Sequence, residues 1–321
     1  MNNLALLYES QGNFSRAEPL YRLPIRVLGS TRGETHPETV AVMNNLAYLY
    51  MMQEDYERAA SMFEQVHAAW LERFGEDHQD ALKGLNNLGR ALLGRGEIEG
   101  AETRIRRALE LRRENLGRRH VDTLRSMLDL GRVMLAREAY ADAEAQLRET
   151  VALTEQVLGA EHPYTFEAQN RLADAIEAQG RTRDAYLRRR TIFERRTRFF
   201  DRVLWVTSEN AREGYIRVHR PELDAFLREH PELADEEAAR ALLEVSLQRK
   251  GLLLRIASEV QQVAALAEDP EIAELADALT EAREELASMT LSGPEESSAE
   301  AHVERIRELD VRVEELEGRI G

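Results

Sequence analysis

Residues 33–60 read GETHPETVAVMNNLAYLYMMQEDYERAA, and residues 75–102 read GEDHQDALKGLNNLGRALLGRGEIEGAE. The second stretch begins 42 residues after the first and keeps its glycine, histidine, double asparagine, leucine and alanine in register. The same spacing continues in both directions and gives two columns of five residues: Leu4, Leu46, Leu88, Leu130 and Leu172, then Ala17, Ala59, Ala101, Ala143 and Ala185. A fixed period of this length predicts a stacked-repeat protein, in which each unit buries its apolar face against its neighbours.

Each unit contains two runs of apolar residues at helical spacing, separated by a short turn. In the second unit we predict a first helix from about Pro37 to Gln53, a turn at Glu54 and Asp55, and a second helix beginning at Tyr56. A glycine and, three residues later, a histidine separate consecutive units: Gly33, Gly75, Gly117 and Gly159, with His36, His78, His120 and His162. We expect these glycines to be left-handed at helix ends, and the units to form antiparallel helical hairpins.

The sequence contains no recognisable catalytic or membrane-spanning pattern. It has no cysteine, which excludes disulfides, thiolate metal sites and a cysteine nucleophile. It also lacks a phosphate-binding glycine-rich loop and a His-Glu-x-x-His motif. No apolar run approaches the ~20 residues of a membrane span, and no signal peptide is evident. We therefore expect a cytoplasmic protein with no catalytic residue and no cofactor.

The four junction histidines are candidates for a metal ladder, but their spacing argues against one. Neighbouring helices pack about 8–10 Å apart, whereas zinc needs its ligand nitrogens at ~2 Å from a single ion. One histidine per repeat cannot converge on one ion. We expect no metal site, and we expect these histidines to act structurally where a helix begins.

Charge divides the chain into two regions. Residues 1–200 hold 29 basic and 30 acidic residues, a net charge of −1, whereas residues 201–321 hold 14 and 29, a net charge of −15. The change falls where the 42-residue register ends. We therefore expect two regions with different roles, residues 1–198 and residues 199–321.

The repeating region resembles the tetratricopeptide repeat of the kinesin-light-chain type. The resemblance rests on Asn44-Asn45-Leu46-Ala47-Tyr48-Leu49-Tyr50, on Tyr56 and Ala59, and on a Leu-Gly-x-x-His-Pro-x-Thr-like junction. It covers residues 1–198 as five repeats, of which the first is incomplete. The fifth departs from the pattern, because Asp201 replaces the junction glycine and Arg188 to Arg190 interrupt its second helix. The resemblance implies an all-α, right-handed superhelical solenoid that binds a protein or peptide in its concave groove.

Residues 199–321 show long helical patterns without a repeat. We predict helices over Asp235–Glu268, after Pro270 and at the C-terminal end, with a loop over 292–298. The last helix has an apolar seam that needs a partner, formed by Val303, Ile306, Leu309, Val313, Leu316 and Ile320. Residues 204–210 and 238–252 are similar to a stretch of bacterial TPR–CHAT proteins, where it links the repeats to a caspase-like CHAT peptidase.

That similarity implies a regulatory, partner-binding module of a TPR–CHAT protease, a class often found in bacterial antiviral defence. A CHAT peptidase uses a Cys–His dyad, so this cysteine-free chain is not expected to be the enzyme itself. Two alternatives remain open. One is a free-standing scaffold that assembles a signalling complex, and the other is a nucleic-acid sensor that uses the arginines between Arg188 and Arg198.

The candidate binding groove is the stripe of each first helix opposite its buried leucine. Its asparagines can donate and accept hydrogen bonds together, which suits an extended peptide backbone. Its basic residues predict an acidic partner segment. The candidate residues are Asn3, Asn44, Asn45, Tyr48, Lys83, Asn86, Asn87, Arg90, Arg125, Asp129, Arg132, Asn170 and Arg171. We also expect the acidic region to fold back near Arg188–Arg198, cap the last repeat and neutralise this arginine cluster.

Overall fold

The computed structural model describes residues 4–5, 8–9, 12–203, 270–294 and 298–320. Within these ranges the chain forms eleven helices and no strand. None of these helices combines the length and the apolar character needed to cross a membrane. The predicted helix over Asp235–Glu268 and both stretches similar to TPR–CHAT proteins lie outside the described residues.

The first nine helices follow the 42-residue period. After α1 (Phe14–Arg32), first helices of 16 residues alternate with second helices of 19 residues, except that the last second helix has 22. They are α2 (Pro37–Met52), α3 (Tyr56–Phe74), α4 (Gln79–Gly94), α5 (Ile98–Leu116), α6 (Val121–Ala136), α7 (Tyr140–Leu158), α8 (Pro163–Ala178) and α9 (Thr182–Val203). The C-terminal helices are α10 (Pro270–Ser292) and α11 (Ala299–Ile320). The predicted turn in the second unit is confirmed, because Glu54 has a φ of 59° and the Asp55 side chain accepts from Arg58 N–H.

The junction histidines cap the first helices, which confirms their expected structural role. In each of the four, Nδ1 accepts a hydrogen bond from the backbone N–H two residues further on, over 3.0 to 3.3 Å. The expected left-handed helical conformation of the glycines is wrong in detail. Gly75 has φ 86° and ψ 173°, an extended mirror-image conformation open essentially to glycine only.

Two compact units divide the described chain, residues 1–146 and 147–321, and the boundary lies within α7. The core of the first unit consists of the recurring small and branched residues. Ala17, Ala59 and Ala101 are fully buried, as are Phe63 and Ile105 on second helices. The same column keeps alanine from repeat to repeat, and in each of these repeats its side chain is completely removed from solvent.

Gly89 on α4 marks one of these close approaches and gives a first prediction. A Cβ at this position would lie 2.6 Å from Ile105 Cγ1 and 3.2 Å from the carbonyl oxygen of Ala101. We expect Gly89→Ala to lower the free energy of unfolding by about 1–2 kcal/mol, since overpacking outweighs the gain in helix propensity. In Gly100→Ala, the control, the new methyl would meet its neighbours at 3.6 Å. Urea unfolding should show no loss for the control, and equal effects of the two changes would refute the packing argument.

The second unit contains α8, α9 and the α10–α11 hairpin. The apolar seam of the last helix has its partner here, because Leu309, Val313 and Leu316 pack against α10 residues in a buried cluster completed by Leu279, Ala282 and Leu286. In turn, α10 lies against α9, at the end of the repeat array where the cap was expected. Helix α9 is continuous through Arg188–Arg190, so the expected interruption there is wrong.

The hairpin also contacts the junction that precedes α8. A Cβ on Gly159 would lie 3.8 Å from Ile306 Cδ1, and the His162 side chain is buried near His302 of α11. Burial and the charge of His302 lower the pKa of His162 to about 4, and burial also lowers the pKa of His302. The corresponding side chains of His78 and His120 are 37% and 40% exposed. The last junction therefore differs from these two, because its capping histidine lies beneath another helix.

Candidate partner-binding surface

The first helices α2, α4 and α6 of the first compact unit form a layer that we call the first-helix layer. Each presents to solvent the narrow stripe left between its two neighbours. In this layer Lys83 is exposed, and Arg125, which follows it by one repeat, is half-buried. A second column contains Tyr48, Arg90 and Arg132, all of which are half-buried. The two columns run along the layer and carry the basic residues predicted for the groove.

A buried carboxylate lies beneath these basic residues. Asp129 of α6 is 2% exposed, and its Oδ2 accepts a hydrogen bond of 2.7 Å from the Asn86 amide of α4. Its Oδ1 lies 3.3 Å from Arg132 Nη1 and 3.6 Å from Arg90 Nε. A carboxylate removed from water needs partners of this kind, because an isolated buried charge is very costly. Asp129 therefore joins α6 to α4 through the Asn86 amide and the Arg90 guanidinium, and it also pairs with Arg132 of its own helix.

The network continues inward from Asn86. Ser126 Oγ donates to Asn86 Oδ1 over 2.8 Å and accepts from Arg112 Nη1 over 2.7 Å. The same Arg112 nitrogen donates to the carbonyl oxygen of Asp122 over 3.0 Å, and the Arg112 side chain is 2% exposed. The chain of polar contacts thus runs from the layer surface to a fully buried arginine on α5. Such a network specifies how α4, α5 and α6 fit together, because each polar group depends on the others.

Arg90 and Arg132 remain partly exposed above Asp129. Their side chains are 17% and 24% exposed, and the Arg90 guanidinium lies 5.9 Å from the centre of the Tyr48 ring. Since the buried carboxylate and the ring restrain these side chains, they lose less conformational freedom when they bind a ligand. Lys83 and Arg125 add two further basic side chains to the same surface. The arrangement can bind carboxylates or phosphates that approach along the layer.

The structure corrects the exposure expected for three candidates. Asn86, Asn87 and Asp129 are 1%, 5% and 2% exposed, so they do not line an open groove. The reason is the close lateral packing of the first helices, which buries the flank of each stripe that faces the next helix. The basic charge is also smaller than expected, because Asp129 neutralises part of it. Asn44 and Asn45 are half-buried, and Asn3 lies outside the described residues.

The remaining candidates belong to the second compact unit and have a different electrostatic environment. Asn170 and Arg171 are half-buried on α8, and Arg171 forms an ion pair of 3.0 Å with Asp174. Asp174 occupies the register position of Arg90 and Arg132, so the basic column ends before this repeat. The basic columns are therefore confined to α4 and α6.

Two arginines of the cluster on α9 have carboxylate partners within their own repeat. Arg189 forms ion pairs with Asp174 and Glu177 over 2.8 and 2.7 Å, and Arg190 forms one with Glu194 over 2.9 Å. These two arginines therefore have carboxylate partners on α8 and α9 themselves. Their local pairing also weakens the case for a nucleic-acid surface, which needs basic groups available to phosphates.

The sequence did not predict two residues of the polar network around Asp129, namely Arg112 and Ser126. Arg112 has the register position of Trp70, and Ser126 has that of Gly84. A charged residue at a column that is otherwise apolar and buried requires a buried partner. This substitution, together with Asp129 at the asparagine column of Asn45 and Asn87, was the available signal.

Comparisons with known proteins agree with the repeat architecture. Residues 1–72, 38–114 and 80–156 match the tetratricopeptide-repeat family model. No curated protein is significantly similar to the chain.

Solved structures show the same fold. One is the crystal structure of nearly identical TPR-like repeats of a kinesin light chain from Podosopora anserina, which is 24% identical to this chain with a TM-score of 0.52. The match covers 61% of this chain and 93% of that chain. BtubC (BKLC) from P. vanneervenii is 20% identical with a TM-score of 0.51, and the match covers 60% of this chain and 77% of BtubC. A Rap protein complexed with Competence and Sporulation Factor is 14% identical with a TM-score of 0.54, and the match covers 99% of this chain and 74% of the Rap protein.

Proposed function

We propose that this all-helical tetratricopeptide-repeat solenoid is a protein-interaction scaffold whose first-helix layer binds an acidic segment of a partner protein. One observation carries the proposal. Arg90 and Arg132, from neighbouring first helices, are both held by the buried carboxylate of Asp129 and remain partly exposed. Two guanidinium groups restrained side by side favour a ligand with carboxylates along an extended backbone.

The basic columns determine where the acidic segment lies. Lys83 and Arg125 are one repeat apart in the first column, and Arg90 and Arg132 are one repeat apart in the second. A segment crossing α4 and α6 therefore meets two pairs of basic side chains. Tyr48, at the α2 end of the second column, adds an apolar ring beneath the Arg90 guanidinium. Charge at such a surface acts mainly on association rate and partner choice.

A peptide-display selection tests this proposal while the partner is still unidentified. Peptides selected on the purified wild-type protein should be enriched in Asp and Glu. Selection on a variant carrying Arg125→Glu and Arg132→Glu should lose that enrichment, because the reversed charges repel the acidic ligand. Arg104→Glu with Arg119→Glu, outside the first-helix layer, is the matched control with the same change in net charge. Absence of an acidic preference on the wild-type protein would contradict the proposal.

We further propose that the scaffold is the regulatory module of a TPR–CHAT protease, acting in bacterial antiviral defence. The support is the similarity of residues 204–210 and 238–252 to the linker of such proteins. The alternative is a free-standing cytoplasmic adaptor that assembles a signalling complex. The gene sequence after the codon for Gly321 distinguishes them. The protease role requires a following domain with a catalytic cysteine and histidine, and a stop codon at that point would contradict it.

A further inference from the structure

The second helices of the first compact unit form a second surface, distinct from the first-helix layer. A cleft of about 1030 Å³ lies between α1 and α3, and Leu46 and Tyr50 of α2 form its floor. Its walls are largely apolar and include Pro19, Leu23 and Met62. Leu23 is 40% exposed, although it is a large aliphatic residue. The cleft is large enough for several apolar side chains of a ligand.

The polar groups of this cleft are already organised around Tyr50. The Tyr50 hydroxyl donates to Glu18 Oε1 over 3.1 Å and accepts from Arg22 Nη2 over the same distance. The Arg58 guanidinium lies 4.3 Å from the centre of the Tyr50 ring and 3.6 Å from Glu18 Oε1. Glu18, the one carboxylate among the described lining residues, therefore contacts two arginines and a hydroxyl, and Arg58 also forms an ion pair of 2.5 Å with Asp55. The three arginines of the rim exceed these two carboxylates by one positive charge.

The basic rim has a regular spacing. Arg22 and Arg26 are four residues apart on α1 and lie on one wall, and Arg58 lies on the opposite wall. Side chains four residues apart lie on the same face of a helix, at neighbouring positions. Carboxylates with the same spacing on a bound helix can face both arginines while its apolar side enters the cleft. The walls themselves are two helices, which is the geometry of helix-in-groove recognition.

The corresponding cleft two repeats later shows that these features are not a general result of the repeat. That cleft, of about 830 Å³, lies between α5 and α7. At the register positions of Pro19, Leu23, Arg26 and Met62 it has Thr103, Arg107, Glu110 and Gln146. Its Arg107 is paired with Glu76 and Glu110. The later cleft is also lined by three arginines, but two carboxylates, Glu110 and Glu114, line it with them. The apolar walls and the smaller number of lining carboxylates thus distinguish the first cleft from the later one.

We infer that the cleft between α1 and α3 binds the apolar face of an acidic amphipathic helix supplied by a partner protein. The site is separate from the first-helix layer and does not depend on the acidic segment proposed there. It gives the scaffold a second attachment point on its second helices. Two partner elements held by one chain would bind with increased avidity when a linker can span both sites.

The test uses a synthetic helical peptide with leucines on one face and glutamates on the other, measured by fluorescence anisotropy. The wild-type protein should bind it, and Leu23→Glu should weaken binding by about tenfold or more, because a charge enters the apolar wall. Leu71→Glu, at an equally exposed leucine of α3 outside the cleft, should bind like wild type. Arg26→Glu should also weaken binding, whereas Arg26→Lys, which keeps the positive charge, should bind like the wild-type protein. Arg104→Glu with Arg119→Glu, outside both proposed surfaces, should leave binding unchanged.

Several outcomes would overturn the inference. They are failure of the wild-type protein to bind, unchanged binding by Leu23→Glu, and equal binding of a peptide whose glutamates are replaced by lysines. Self-association of the wild-type protein that is abolished by Leu23→Glu would assign the cleft to a second copy of the chain instead. Circular dichroism of each variant checks that it is folded. Because Arg26 is exposed, its variants keep the test valid even if Leu23→Glu is unstable.

Discussion

Replacement of Asp129 by alanine is expected to lower the free energy of unfolding by about 3–5 kcal/mol, the usual result of removing one partner from a buried ion pair. The change removes the shared counterion of Arg90 and Arg132 and the acceptor of the Asn86 amide. Two guanidinium groups then lose the carboxylate between them, and a buried amide loses its acceptor. Urea unfolding followed by circular dichroism measures the loss.

Asp129→Asn shows whether the charge of residue 129 or its hydrogen bond contributes more to stability, and a second variant is the control. Asp129→Asn keeps the size and one acceptor oxygen and matches Asn45 and Asn87 in the same column. Asp129→Asn should lower the free energy of unfolding by less than Asp129→Ala does. It should still weaken the attraction of Arg90 and Arg132 to residue 129. Asp142→Ala, at an exposed carboxylate on α7, should change stability by no more than about 0.5 kcal/mol. An Asp129→Ala protein as stable as the Asp142→Ala protein would contradict the role given to the network.

Acid is expected to destabilise the chain through His162. The pKa of this histidine is about 4 in the folded chain, against 6.5 as its ordinary value. Below pH 6.5 the unfolded state therefore binds a proton more readily than the folded state, and stability falls as the pH falls towards 4. At about 1.4 kcal/mol per pH unit, the full loss is about 3 kcal/mol. His302, the facing histidine, acts in the same direction because its pKa is also lowered.

His162→Asn isolates this effect, since asparagine also caps helices well but does not titrate in this range. The variant should lose less stability than wild type between pH 7 and pH 4.5. The carboxylates that titrate in the same range are common to both proteins and cancel in the comparison. His120→Asn, at a half-exposed cap of the same type, is the control for the change of capping residue. Identical pH profiles for His162→Asn and wild type would refute the assignment.

The repeating part of the fold was predictable because its determinants are local and periodic. Pro37 begins a first helix, Asp55 caps the following second helix, and His162 caps α8 through a contact within two residues. Each signal lies close in sequence to the structure it determines. A register without insertions then places every later helix. Family resemblance and periodicity thus agreed with the helices that the structure shows.

The site was only partly predictable, because its polar contacts depend on residues that depart from the repeat. The basic columns follow from the sequence, but the burial of Asn86 and Asp129 depends on how closely adjacent first helices pack. The 42-residue period does not determine that distance. Arg112 and Ser126 join the network only because α5 and α6 bring them within hydrogen-bond distance. The pairing of the last two helices was likewise open, since apolar seams without a repeat can pair in several registers.

The salt dependence of peptide binding tests the central claim most directly. An acidic peptide from the display selection is titrated into the wild-type protein and into the Arg125→Glu, Arg132→Glu variant, at low and at physiological salt. The account predicts that wild-type affinity falls as salt rises, whereas the variant binds about tenfold more weakly or worse, with little salt dependence. The Arg104→Glu, Arg119→Glu control should behave like wild type. Equal affinity and equal salt dependence in the wild-type protein and the first variant would contradict the claim that the first-helix layer binds the acidic partner.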